Sequence, residues 1–158
     1  MRALVAGALL LLVPGCGGSA TAADLAASRD AVREAAGRDL PGVLAALGGQ
    51  PGDAWGEYDL GGDGIADRRR YGVTVVVTGV DAGAGEIAAS FEAAGYEVVQ
   101  VDDVAGVVGE RGDVTIGAGL PRGGELRLGV HGPWLEPEDG TERQVGREPF
   151  GLDLTRSR

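Results

Sequence analysis

Three aspartates at four-residue intervals, Asp59, Asp63 and Asp67, enclose Gly64 where a chain wrapping an ion would turn sharply. A hard cation such as Ca²⁺ takes oxygen ligands from acids spaced along a glycine-bearing loop, and this stretch supplies both ingredients. Other residues oppose that chemistry. Gly61 stands where a further oxygen ligand is expected, and Arg70 stands where a final acid would close the shell. The run Arg68, Arg69 and Arg70 would repel a cation. The competing reading is a Gly-Asp turn leading into a strand.

Catalysis finds few other footholds. All basic residues are arginine, so a P-loop lysine, a Schiff base and a lysine general base are excluded. The sole cysteine is Cys16 and the sole histidine is His131, which sits at a strand end where a structural or solvent-exposed role is expected. The four serines occur in no nucleophile-elbow pattern. A pair of carboxylates could serve hydrolysis of a glycan, but Asp102 and Asp103 read as a turn and the aromatics are few. The tripeptide Arg111, Gly112, Asp113 matches an integrin-type sequence by chance.

The start of the chain carries the strongest signal. Arg2 precedes an apolar run over residues 3–13, too short for the ~20 residues that a spanning helix needs, and suited to a cleaved secretory segment. Val13, Pro14, Gly15 and Cys16 follow, and Pro14 ends any helix just before the cut. These four residues resemble the lipobox of bacterial lipoproteins, with Val13 where leucine is usual and Pro14 a less usual neighbour. The resemblance implies a diacylglyceryl thioether on Cys16, cleavage between Gly15 and Cys16, and a lipid-anchored protein on the extracytoplasmic face of the cell membrane. Two or more acyl chains anchor stably where one binds only marginally. The 59–67 stretch in turn resembles the calcium loops of EF-hand and dockerin-like modules, with Asp59, Asp63 and Asp67 in ligand places. That resemblance makes Ca²⁺ the one cofactor to weigh against none.

The formal charge is −10, and becomes −11 once Arg2 leaves with residues 1–15. An acidic surface does not favour phosphate backbones, so nucleic acid is not an expected partner. Glycine is far above its usual ~7 %, which thins any core. The length suits one domain.

Taken in order, residues 16–22 read as the lipidated cysteine and a tether, residues 23–134 as an α+β domain, and residues 135–158 as a polar, flexible tail. Thr21 and Asp24 mark a helix start, and Leu25, Val32, Ala35, Ala36 and Leu40 recur at helical spacing. Pro41 is expected to kink or divide that helix, and Gly48 and Gly49 to end it. Residues 53–67, with Trp55 and Tyr58, read as a short strand and a loop. Residues 71–78 are the clearest strand, and residues 86–94 form a short helix closed by Gly95. Strands follow at 96–101, from about 104, at 113–117 and at 125–130.

The expected fold is an amphipathic N-terminal helix and a second short helix packed on a small, mostly antiparallel sheet. A parallel crossover from 73–77 to 98–101 would make that sheet mixed. Within the tail, residues 150–154 are the piece apolar enough to dock. At family level the layout resembles small lipoproteins of high-GC Gram-positive bacteria. The implied function is an envelope lipoprotein with a non-catalytic binding or accessory domain and an envelope protein as partner. The alternatives are a calcium-binding structural module and a carboxylate-dependent envelope hydrolase.

Overall fold

The computed structural model describes residues 19–61, 67–142 and 146–154; the signal segment, Cys16 and Asp63 lie outside the described residues. The first helix, α1, runs Ala22–Leu47 and opens on a full capping box. The Thr21 side chain accepts from the Asp24 N–H at 3.2 Å, and the Asp24 carboxylate accepts from the Thr21 N–H at 2.8 Å. The helix is not divided at Pro41, which lies inside it and is buried. A proline there removes one backbone hydrogen bond. Burial of Leu40, Val43 and Leu44 around it offsets that loss. Gly48, at φ 71°, closes the helix in the left-handed conformation.

Seven strands follow around one more helix: β1 Gln50–Gly61, β2 Arg68–Thr78, α2 Ala84–Ala93, β3 Glu97–Asp102, β4 Gly106–Arg111, β5 Val114–Ala118, β6 Glu125–His131 and β7 Glu148–Pro149. They form one sheet in the order β3-β4-β5-β6-β2-β1-β7, and every neighbouring pair is antiparallel. The fold is α+β.

Among the described residues no two of these strands pair in parallel, and the expected crossover from 73–77 to 98–101 does not bring its strands together; the isolated bridge between Ala20 and Pro137 is parallel. β2 and β3 are joined through α2 but lie three strands apart, and β4, β5 and β6 fill the gap as an antiparallel meander. The first strand is longer than the sequence suggests. Its many glycines and polar residues hide a register that pairs Tyr58 with Tyr71 and Gly61 with Arg68.

Alternation along the strands sorts side chains between two faces. Tyr71, Val73, Val75 and Val77 of β2 join Leu126, Leu128 and Val130 of β6 and Ile116 of β5 beneath the helices. Val32, Ala36, Leu40 and Val43 of α1 and Ile87 and Phe91 of α2 close this core from above. Tyr71 lies across Gly56, where an added Cβ would come 1.8 Å from the phenol oxygen. Only glycine fits there.

The segment after Trp134, expected to form a loose tail, is laid against the domain over its described residues. Leu135 and Arg69 exchange both backbone hydrogen bonds at 2.8 Å, and the Ala20 N–H donates to the Glu136 carbonyl. Farther on, Glu148 and Pro149 pair with β1, and Phe150 and Leu152 pack on the core. The Glu148 carboxylate accepts from the buried Tyr71 hydroxyl, which also accepts from Arg33 at 3.0 Å. Burial, then the Glu148 hydrogen bond, pushes the Tyr71 phenol up to about 12. Residues 150–154, the piece expected to dock, place Phe150 and Leu152 on the core, while the backbone pairing and the Tyr71–Glu148 hydrogen bond lie in stretches whose polar composition concealed them.

A second buried polar group lies where α1, α2 and β4 meet. Asp39 is 6 % exposed. Its carboxylate accepts from Arg38 at 2.9 Å, from the Tyr96 hydroxyl at 2.8 Å and from Arg111. Arg111 also donates to the Ala94 carbonyl at 2.9 Å and lies over the Tyr96 ring. Burial alone would raise the Asp39 pKa, but the hydrogen bonds from Arg38, Arg111 and Tyr96 outweigh it and hold the carboxyl below its usual value.

Replacing Asp39 by alanine leaves Arg111 and Tyr96 without their shared acceptor. Urea unfolding should show a loss of about 3–5 kcal/mol, against no more than about 0.5 kcal/mol for Asp113→Ala on the surface. Because the folded pKa is the lower one, the Asp39 contribution is complete above the unfolded value near ~3.9 and is lost as pH falls through the folded value.

Candidate functional site on the open face of the sheet

Both helices cover the same face of the sheet. The opposite face of β1, β2 and β6 carries Trp55, Glu57, Asp59, Arg70 and His131, brought into rows by the pairings Trp55 with Thr74, Asp59 with Arg70, and Gly72 with His131. Trp134, just past β6, folds over its end, and a Cβ on Gly61 would come 2.6 Å from the indole. The two tryptophans of the chain therefore share one face.

Each indole is stacked by an arginine that is tied to an acid. Arg70 lies 4.6 Å from the Trp134 ring centre and donates to Asp59 at 2.9 Å. Arg147 lies 4.3 Å from the Trp55 ring and donates to Glu57 at 3.3 Å. The Trp55 indole N–H donates to Glu57 at 2.7 Å. Each acid thus holds its guanidinium over the ring, where the cation is attracted to the π face. Trp134 remains 42 % exposed.

His131 lies flat on the sheet because two glycines make room for it. A Cβ on Gly72 would come 2.4 Å from Nδ1, and one on Gly129 would come 2.5 Å from Nε2. Nδ1 is buried without a hydrogen-bond partner and lies 3.6 Å from Asp59 Oδ2. Burial, then the nearby Arg70 charge, lowers the imidazole pKa, and Asp59 opposes them. The shift favours the neutral ring. Thr115 of β5 is its other cross-strand neighbour.

Asp59, predicted as a metal ligand, is thus an ion-pair partner on this face. Asp67 is bound by Arg69 at 3.2 Å, and Asp63 lies outside the described residues. Among the described residues no group of three or more His, Cys, Asp or Glu side chains is placed to hold a metal ion. Asp102 and Asp103 are far from Asp59, because β3 and β1 are separated by four strands. Asp102 accepts from the Val104 and Ala105 N–H groups at 2.7 Å and shapes the turn.

The arginine run is not one patch, since strand alternation sends its members apart. Arg68 pairs with Glu136 and Arg70 with Asp59, whereas Arg69 is buried and donates to the Thr141 and Glu142 carbonyls. Arg111 of the integrin-type tripeptide is turned in to Asp39.

Comparison with known protein families, curated proteins and solved structures finds no match to this chain. The geometry alone bears on function. It presents an indole left 42 % exposed beside two arginine–acid pairs.

Sequence reasoning weighed Arg70 only as a charge opposing a cation, His131 only as a structural or solvent-exposed residue, and position 134 only as the end of the domain. A usable signal existed. In a hairpin closed by residues 62–67, Asp59 and Arg70 are equidistant from the turn and must face each other across the ladder.

Titration of His131 followed by NMR should give a pKa below 6.5 in the wild type. Arg70→Gln should raise it by removing a repelling charge, and Asp59→Asn should lower it further. Because the folded value is the depressed one, the His131 contribution to stability is complete above pH ~6.5 and declines as pH falls below it.

Proposed function

We propose that this chain is a lipid-anchored envelope lipoprotein whose extracytoplasmic domain binds a partner without catalysing a reaction. Cys16 carries the lipid in this reading, and α1, amphipathic and close behind the anchor, turns its apolar side to the sheet. The observation that supports a binding role is the segregation of the two faces. One is sealed by helices, and the other presents both tryptophans within ordered arginine and acid pairs. No helix among the described residues is long and apolar enough to cross a membrane, so the proposed anchoring rests on the cysteine lipid.

The test of the anchoring is fractionation of cells expressing the full chain. Wild type is expected in the membrane pellet, resistant to a high-salt wash and released by detergent, and Cys16→Ala is expected in the soluble fraction. Equal solubility of the two would end the lipoprotein reading.

A further inference from the structure

The strand β3 forms one edge of the sheet. The other edge carries only the two-residue strand β7. Along β3 no backbone group is bonded on the outer side by any described residue. Among the described residues, three of the six large apolar side chains that stand exposed lie on β3 or in the turn after it: Val99 at 51 %, Val101 at 54 % and Val104 at 81 %. Val99 is an extra residue, since the pairing with β4 shifts between Val98 and Gln100. The bulge pushes it out of the ladder. Beyond the strand's end the surface opens into a cleft of about 380 Å³ lined by Val104, Ala105, Leu120 and Arg122 among others.

The charges on β3 and on the turn that follows it are acidic, while Arg122 and Arg127 line the cleft beyond. Glu97 and Asp102 end the strand, Asp103 follows, and Glu110 faces Glu97 from β4. The nearest arginine on these strands, Arg111, is spent on Asp39. A second copy is a poor occupant. Antiparallel pairing centred on β3 would set Glu97 of one chain opposite Asp102 of the other, and like charges directly opposite are destabilising. The chain's net charge of −10 adds to that repulsion.

We propose that β3 accepts an extended segment of another protein as an eighth strand. Its chemistry is apolar or β-branched residues in the middle and basic residues at both ends. Main-chain hydrogen bonds to the free edge supply the binding, the three valines supply apolar contact, and the acids select basic flanks. This surface is separate from the tryptophan-bearing face, and the inference does not depend on that face binding anything.

Hydrogen exchange on the purified full chain tests it, using a synthetic peptide of alternating valine and threonine with arginine at both ends. A matched peptide with glutamate at both ends is the control. At ten times its dissociation constant, the arginine peptide should slow amide exchange in residues 97–103 by about tenfold. The glutamate peptide should have no effect at the same concentration. The double variant Glu97→Lys with Asp103→Lys, both exposed, should weaken the arginine peptide by about three- to tenfold and bind the glutamate peptide instead. Unchanged exchange, or equal slowing by both peptides, overturns the proposal. Slow exchange that rises with protein concentration in the absence of peptide also overturns it, assigning the edge to a second copy.

Discussion

The buried carboxylate of Asp39 is the interaction on which the arrangement of the two halves depends. It sits on α1, which covers β2, β6 and β1, and it is bound by Arg111 at the end of β4 and Tyr96 at the entrance to β3. Arg111 also takes the Ala94 carbonyl at the C-terminal end of α2. One acid thus ties the first helix to the second helix and to the far half of the sheet. An ion pair this deep contributes little net stability against an apolar replacement, because desolvating the charges costs about as much as their attraction returns. Its effect is on geometry, since each donor has one place to go. The integrin-type tripeptide is explained in the same way, as an arginine aimed inward.

The second constraint is that the sheet is covered once. Two helices seal one face, and the described residues after Trp134 pair with Arg69 and with β1 while Arg147 reaches over Trp55 on the other. Leu135 pairs with Arg69, and Glu148 reaches the hydroxyl of Tyr71 beneath the helices. The open face is left to polar and aromatic side chains held by one another. Glycines at 61, 72 and 129 are what let Trp134 and His131 lie flat on it, as a Cβ at any of the three would strike a ring.

Local signals in the sequence were strong where a single residue type settles a conformation. Thr21 and Asp24 cap a helix wherever they occur at this spacing, Gly48 and Gly95 end helices, and the valines of β2 specify a buried strand. Long-range facts were less legible. Asp39 looks like an ordinary helix-surface acid next to Arg38, and only the arrival of Tyr96 and Arg111 makes it a buried hub. The apolar residues 150–154 were legible as the docking piece of the tail, whereas the backbone pairing of Leu135 and Glu148 is something composition does not encode. The glycine-rich stretch around Asp59 invites a metal-loop reading by spacing alone. In the ladder, Asp59 meets Arg70, and its charge is answered there.

A binding role for the open face is the centre of the functional account. Site-specific photo-crosslinking in intact cells tests it most directly, with the photoreactive residue placed at position 134 on that face or at exposed position 34 on α1. The account predicts discrete adducts from position 134 that are absent from position 34. Adducts from position 34 alone, or identical patterns from both, would contradict it.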